Sequence, residues 1–528
     1  SPPPQTNKWA TALTVILPTF IEVMDTSVVN VSLPHMQGSL SAGVDEVTWV
    51  LTSYLVANAI IIPITGWLAG IFGRKNYLVF SITLFTASSL ACGAAPSLEF
   101  LVLARVLQGL GGGGLQPLSQ AILLETFPPK EHGMAMAVFG MGVVFAPILG
   151  PVVGGWITDN WSWRWVFYIN LPIGLLAVVL AALLIHDPPY IRRTSIHIDS
   201  WGLLLITIGL GCLQIVLDKG EREDWFDSRF ITVMSAIAAV ALILFVIVEL
   251  HSKHPVVDLR VFRDGTFAAG NIMMFMGFFC MFGSFVLLPL YAQTLMGYTA
   301  MWAGLVLGPG GLASLFIMPI GGALMKKGVK PTRLLAIGLT TMACSLWLMS
   351  GLNLDADFFS ISLPRFIQGF GLGLFFVPLA ASTYVNIPRE GMGNASAIFN
   401  LIRNLGGSFG VAAAATLLSQ RSQLHQNFLI EHVTPYSPIL KGYSRHFLEM
   451  LPGSDPTGGD SPWVLAGIYR EVLRQAGMLG FNDVFWLFAW LTAFVVPLTF
   501  FMKKGGRQHG STGAYRTNPQ ELEREQAI

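Results

Sequence analysis

Glu22 and Asp25 are two carboxylates in an apolar run that carries no other Asp, Glu, Lys or Arg between Lys8 and Asp45. The run is long enough to cross a bilayer as a helix. A charged side chain at the centre of such a helix costs about 2.5–3.5 kcal/mol on insertion scales. A carboxylate escapes that cost by taking up a proton. An acid that gains and loses a proton in mid-membrane is what proton-driven transport requires; the plainer role is an acid that only pairs with a neighbouring helix. Arg105 is the complementary group. It lies in a second apolar run and cannot shed its charge, so it needs a carboxylate or carbonyl partner. At about 1.5 Å of rise per residue, Asp25 and Arg105 both fall roughly 10–14 Å below the outer ends of their helices. Asp25 is therefore the expected partner of Arg105, with Glu22 one turn deeper.

Helical geometry separates the two acids. Thr19, Glu22, Thr26 and Asn30 form a stripe roughly 80° wide, and Asp25 lies about 60° from Glu22 at its edge. The stripe reads as facing a central cavity, with Glu22 on the substrate side and Asp25 turned to a neighbouring helix. Asn58, Gln116, Asn271, Gln293 and Asn400 are candidate polar contacts for substrate, although each is also suited to an interhelical hydrogen bond. Arg403, beside Asn404 and Gly406-Gly407, either faces the cavity or bonds helix carbonyls. The aromatic and Met cluster at Phe275, Met276, Phe278, Phe279, Met281 and Phe282 suits an adaptable pocket or ordinary packing.

The elements that must hold these groups are membrane spans. The chain has 528 residues, 53% hydrophobic and 12% charged, against about 25% charged in soluble proteins. Apolar runs fall near 10–33, 47–69, 77–95, 98–120, 133–157, 165–186, 201–217, 229–250, 267–290, 301–325, 332–351, 359–384, 392–418 and 480–502, about fourteen spans. The first is too long for a signal-peptide core and is expected to stay as a span. Lys and Arg concentrate in alternate loops, at Arg74-Lys75, Lys130, Arg192-Arg193, Lys253 to Arg263, Lys326 to Arg333 and Arg389. The positive-inside rule then puts both termini in the cytoplasm. The long segment 419–479 falls on the outer side and reads as a loop with two apolar-patterned pieces. The tail after residue 504 reads as disordered. A near-zero net charge gives no pointer to nucleic acid. The four cysteines have no metal-ligand spacing and read as small buried hydrophobes. Gly111 to Gly114 lacks the Lys-Ser/Thr of a phosphate loop, which argues against nucleotide hydrolysis.

The run Leu101 to Gly111, containing Arg105, Gln108 and Gly109, recurs about 260 residues later as Ile361 to Gly371, containing Arg365, Gln368 and Gly369. Two repeated halves imply a transporter with a site between them. Six spans per half leave two over, best placed at 201–217 and 229–250. The expected division is a bundle at 1–190, a two-helix insert at 191–262 and a second bundle at 263–504. Span 267–290 has no acid to match Asp25, so Arg365 reads as structural.

These motifs resemble the major facilitator superfamily, in its fourteen-span drug:proton antiporter branch (the EmrB/QacA type). Asp25-Thr26 to Pro34 is similar to the branch's first-helix motif, and Arg105 with Gln108-Gly109 to its fourth-helix motif. Gly150-Pro151 with Gly154-Gly155 is similar to the fifth-helix antiporter motif, and Trp163 to Gly174 to the entry of the sixth helix. Pro435 to Pro438 and Asn482 to Trp486 also carry the likeness. The resemblance implies an all-α fold of six, two and six helices and proton-driven export of amphipathic or hydrophobic drugs across a bacterial inner membrane. It implies no enzyme activity and no cofactor. The implied partners are an EmrA-type periplasmic adaptor and a TolC-type outer-membrane channel. Export of one endogenous solute, or a non-transporting sensor or scaffold, are the alternatives. One departure concerns the loop motif at Gly66, Gly73 and Arg74. Gly70 and Ile71 stand where that motif carries Asp and Arg, which removes the expected charge latch.

Overall fold

A computed structural model describes residues 7–187, 199–252, 255–433 and 462–501. Fourteen helices in it are long and apolar enough to cross a membrane, and the described residues contain no strand. In chain order they are α1 Lys8–Ser39, α2 Asp45–Phe72, α3 Arg74–Gly93, α4 Leu98–Thr126, α5 Pro129–Asn160, α6 Trp165–Leu184, α7 Ser200–Lys219, α8 Arg229–His251, α9 Gly265–Thr294, α10 Met301–Lys326, α11 Pro331–Met349, α12 Phe358–Thr383, α13 Arg389–Glu431 and α14 Ala466–Phe500. Several begin where the sequence offers an N-cap. Ser97, Asp199, Asp264, Thr299 and Asp357 each accept a backbone N–H of the first turn, satisfying a donor that the helix leaves open.

Helices α1 to α6 pack on one another, as do α9 to α14. The two groups meet along two seams, α2 on α13 and α5 on α10. Small residues set the second seam. Gly133 lies against Gly322 and Met325, Gly140 faces Met318, and Ile148 fills the space beside Gly311. Phe139 of α5 also stacks on Phe376 of α12, ring centres 6.3 Å apart. Within the first group, Gly150 and Gly154 let α5 press directly on Ser27 and Val28 of α1. The insert helices α7 and α8 pack together, and α7 lies along both α2 and α13.

Four expectations change. Helix α1 continues through Pro34 to Ser39 instead of stopping there, because a proline removes only one donor and an outer turn can solvate the freed carbonyl. Helix α4 runs to Thr126 instead of ending near residue 120, and Gly113 and Gly114 within it keep right-handed helical dihedrals. The expected outer loop at 419–479 is helix in its described parts, 419–431 and 462–479. Helix α13 extends to Glu431 and α14 begins by Ala466, bringing Arg421 and His425 against Asp483. No Gly or Pro interrupts 419–431, so nothing there stops the helix. The pieces at Tyr443 to Leu451 and Pro435 to Pro438, and the tail, lie outside the described residues. Finally, Cys344 is exposed on α11 instead of buried.

Candidate functional site

Asp25 and Arg105 meet with both side chains fully buried. Arg105 Nη1 donates to Asp25 Oδ2 at 2.5 Å and to Gln108 Oε1 at 2.8 Å, while Nε donates to the carbonyl of Val50 at 3.0 Å. Its guanidinium lies 4.1 Å from the centre of the Tyr54 ring. The other Asp25 oxygen accepts from Gln108 Nε2 at 3.1 Å and from Asn170 Nδ2 at 2.8 Å. Four helices supply these groups: α1, α2, α4 and α6. A buried ion pair repays its desolvation only when the remaining polar atoms find partners; here both carboxylate oxygens and Arg105 Nη1 and Nε are met, while Arg105 Nη2 has no hydrogen-bond partner among the described residues. Gln108 serves both charges from one turn beyond Arg105.

Glu22 occupies a second cluster. Its Oε1 accepts from Tyr54 Oη at 3.1 Å and Asn58 Nδ2 at 2.9 Å, and its Oε2 from Gln116 Nε2 at 2.6 Å. Glu22 is 3% exposed. Burial resists its charge, and three hydrogen-bond donors support it. Thr19 bonds Ser119 of α4 at 2.8 Å. The stripe expected to face a cavity is thus covered at Thr19 and Glu22 by α2 and α4. Thr26 is half-buried and Asn30 exposed.

The remaining candidates separate. Asn58 and Gln116 are bound to Glu22, and Gln116 also accepts from Arg403. Asn400 donates to Gln120 Oε1 at 2.6 Å. Asn271 turns back to its own helix at the Phe267 carbonyl, 2.8 Å away. Gln293 is exposed near the end of α9, away from the cluster. Arg365 bonds Gln368 and lies 3.7 Å from the Phe285 ring centre, with Ser284 where a partner acid is lacking. The Arg–Gln pair therefore repeats in both halves, while the acid belongs to the first alone. Phe278 and Phe279 pack on Phe376 and Phe488, within the core.

Tyr54, Gln120 and Asn170 escaped the choice of candidates. Tyr54 stands one turn before Asn58 on the same face of α2, and that spacing was available as a signal. The end of the molecule bearing the basic loops is closed. Gly66 lies against the backbone of Asn394, and Glu131 bridges Lys8 at 2.5 Å and Lys326 at 3.1 Å. The altered loop motif finds acids elsewhere. Arg74 pairs with Glu125 of α4, and the Lys75 amide donates to Asp187 at 2.9 Å. Gly73, at φ 82°, makes the turn that admits Asp187.

The family model for the Major Facilitator Superfamily matches residues 15–411. The chain belongs to the major facilitator superfamily. It is a multi-pass membrane transporter of that family and not an enzyme. Its curated relatives include the "Multidrug export protein EmrB" of Haemophilus influenzae, 38% identical over 94% of this chain and 96% of that protein. EmrB of Escherichia coli is 37% identical over 94% and 96%. The "Fatty acid resistance protein FarB" of Neisseria gonorrhoeae is 36% identical over 95% and 98%. Among solved structures, the proton:xylose symporter XylE superposes with a TM-score of 0.59 at 14% identity, covering 94% of this chain and 97% of that one. The human organic anion transporter MFSD10 gives 0.58, also at 14%, over 93% and 100%. At that identity the likeness speaks for the superfamily fold.

Proposed function

We propose that this chain is a multidrug efflux transporter that exchanges protons for amphipathic or hydrophobic drugs across a bacterial inner membrane. The observation that carries the reading is the buried Asp25–Arg105 pair with Glu22 beside it. A merely structural helix contact has no need of a second acid in a separate set of donors. The EmrB relatives bear multidrug export in their names, and the FarB name favours amphipathic substrates. In this reading Asp25 is the coupling acid, discharged from Arg105 by a proton arriving from outside, and Glu22 is the acid on the substrate side. Both termini lie in the cytoplasm, and the closed end of the molecule then faces the cytoplasm. The test is Asp25→Asn in proteoliposomes with a fluorescent dye and an imposed pH jump. Dye movement against the proton gradient should fall at least tenfold in a protein that elutes as the parent does. Unchanged movement would refute the role of Asp25.

We further propose that the chain works as the pump of a tripartite system, with an EmrA-type periplasmic adaptor and a TolC-type outer-membrane channel. Support comes from the full-length likeness to EmrB and from the extended α13 and α14, which offer a surface beyond the bilayer. Deletion of residues 430–475 should abolish adaptor pull-down. Retained binding would move the contact elsewhere.

A further inference from the structure

At the depth of Glu22 the two groups of helices are joined along α4 and α13. Ser396 Oγ donates to the Pro117 carbonyl at 3.0 Å, Asn400 Nδ2 donates to Gln120 Oε1 at 2.6 Å, and Arg403 Nη2 donates to Gln116 Oε1. Gln116 differs from the others because its opposite end is held by a carboxylate, that of Glu22. One amide therefore stands between an acid of the first half and a cation of the second. Arg403 is 3% exposed, and its Nη1 has no hydrogen-bond partner among the described residues. The charged and titratable groups facing this bridge are few. They are Tyr54 of α2, the Asp25–Arg105 pair, and Tyr384, just past the end of α12, beside Arg403. Helices α5 and α9, which pack on α4 and α13 respectively, carry no charged residue away from their ends.

We propose that Gln116 is a positioning residue that ties the protonation state of Glu22 to the closure between α4 and α13. The inference rests on proton exchange as proposed above. An amide has a donor end and an acceptor end. With Glu22 ionised, the N–H end is drawn to the carboxylate and the carbonyl is left to accept from Arg403. With a proton on Glu22, the acid has an O–H to donate, and the Gln116 carbonyl turns to accept it. The amide then presents N–H groups to a guanidinium that is itself only a donor. The bridge is lost, and Arg403 loses the negative charge that faces it. The proton stays on Glu22 throughout. Protonation thereby loosens the closed, basic-loop end, which is the order of events that exchange of an outside proton for an inside drug demands.

The test reads the closure directly. Spin labels go on cysteines replacing Asn76 and Arg333, both exposed at the basic-loop end on opposite halves, after Cys92, Cys212, Cys280 and Cys344 are changed to Ser. In nanodiscs, the long-distance population of the parent should grow as pH falls from about 8 to about 5. Glu22→Gln should show the long distance at both pH values. Gln116→Met and, from the other side, Arg403→Gln should each lose the pH response. A parental pH response in Gln116→Met overturns the relay. Proton release on adding drug, measured on the parent, separates the two readings. Release together with an unaltered pH response in Gln116→Met sinks the relay alone. A parent with neither release nor pH response sinks both.

Discussion

Arg105 and Asp25 protect each other from the cost of burial, so their removal is asymmetric. Arg105→Ala leaves Asp25 with only Gln108 and Asn170 as donors and should cost about 3–5 kcal/mol, seen as a large fall in unfolding temperature in detergent. Replacing both, as Asp25→Leu with Arg105→Leu, should recover most of that stability and leave export dead. A double variant as unstable as the single one would mean that the surrounding polar groups, not the pair, set the penalty. Asn170→Ala removes one donor to Asp25 and should cost about 1–2 kcal/mol in the same assay. The pairing itself was legible in the sequence, because helix rise is constant and fixes depth from residue counts alone. The surroundings of Glu22 were not. A polar stripe on a membrane helix says that the face avoids lipid, but water and another polar face satisfy that demand equally. Here α2 and α4 satisfy it, with Gln116 turned inward to meet the acid and Arg403 held behind it.

At the scale of elements, the spans were legible because a bilayer demands an apolar run of fixed length. Their ends were not. Pro34 reads as a break, yet α1 continues through it to Ser39, and α4 runs past its expected end to Thr126. Proline and glycine weaken a helix locally without deciding where it ends. The seam between α2 and α13 depends on close backbone approach. A Cβ at Gly66 would sit 2.9 Å from Asn394 Cα, too near for either backbone to yield. Gly66→Val should therefore wedge the basic-loop end apart. Ser396, buried in the parent, reports on this. With Cys92, Cys212, Cys280 and Cys344 changed to Ser, Ser396→Cys should resist a water-soluble maleimide in the Gly66 parent and label at least several-fold faster with Gly66→Val. Equal labelling would show that the helices part elsewhere.

The whole molecule is two six-helix groups joined by more than their shared seams. Insert helix α7 reaches both. Thr52 of α2 donates to Asp218, Ser408 of α13 donates to Gln214 at 3.2 Å, and Trp225, just beyond α7, donates to Thr416 of α13 at 3.0 Å. The pair Gln214→Cys with Ser408→Cys should oxidise readily and halt transport until reduced. Free turnover with the disulfide intact would show that the insert travels with α13. The run around Arg105 recurs around Arg365, one copy in each group of helices. The place of the insert did not follow, since apolar runs say nothing about which neighbours they choose. Helix α13 is 43 residues long, roughly 64 Å at 1.5 Å per residue, twice the hydrocarbon thickness of about 30 Å. Clasped to α14 through Arg421, His425 and Asp483, it forms a mast on the second half. Every degree by which that half rocks about mid-bilayer swings the masthead by roughly 0.8 Å, so whatever is moored there feels each transport cycle as a sideways stroke.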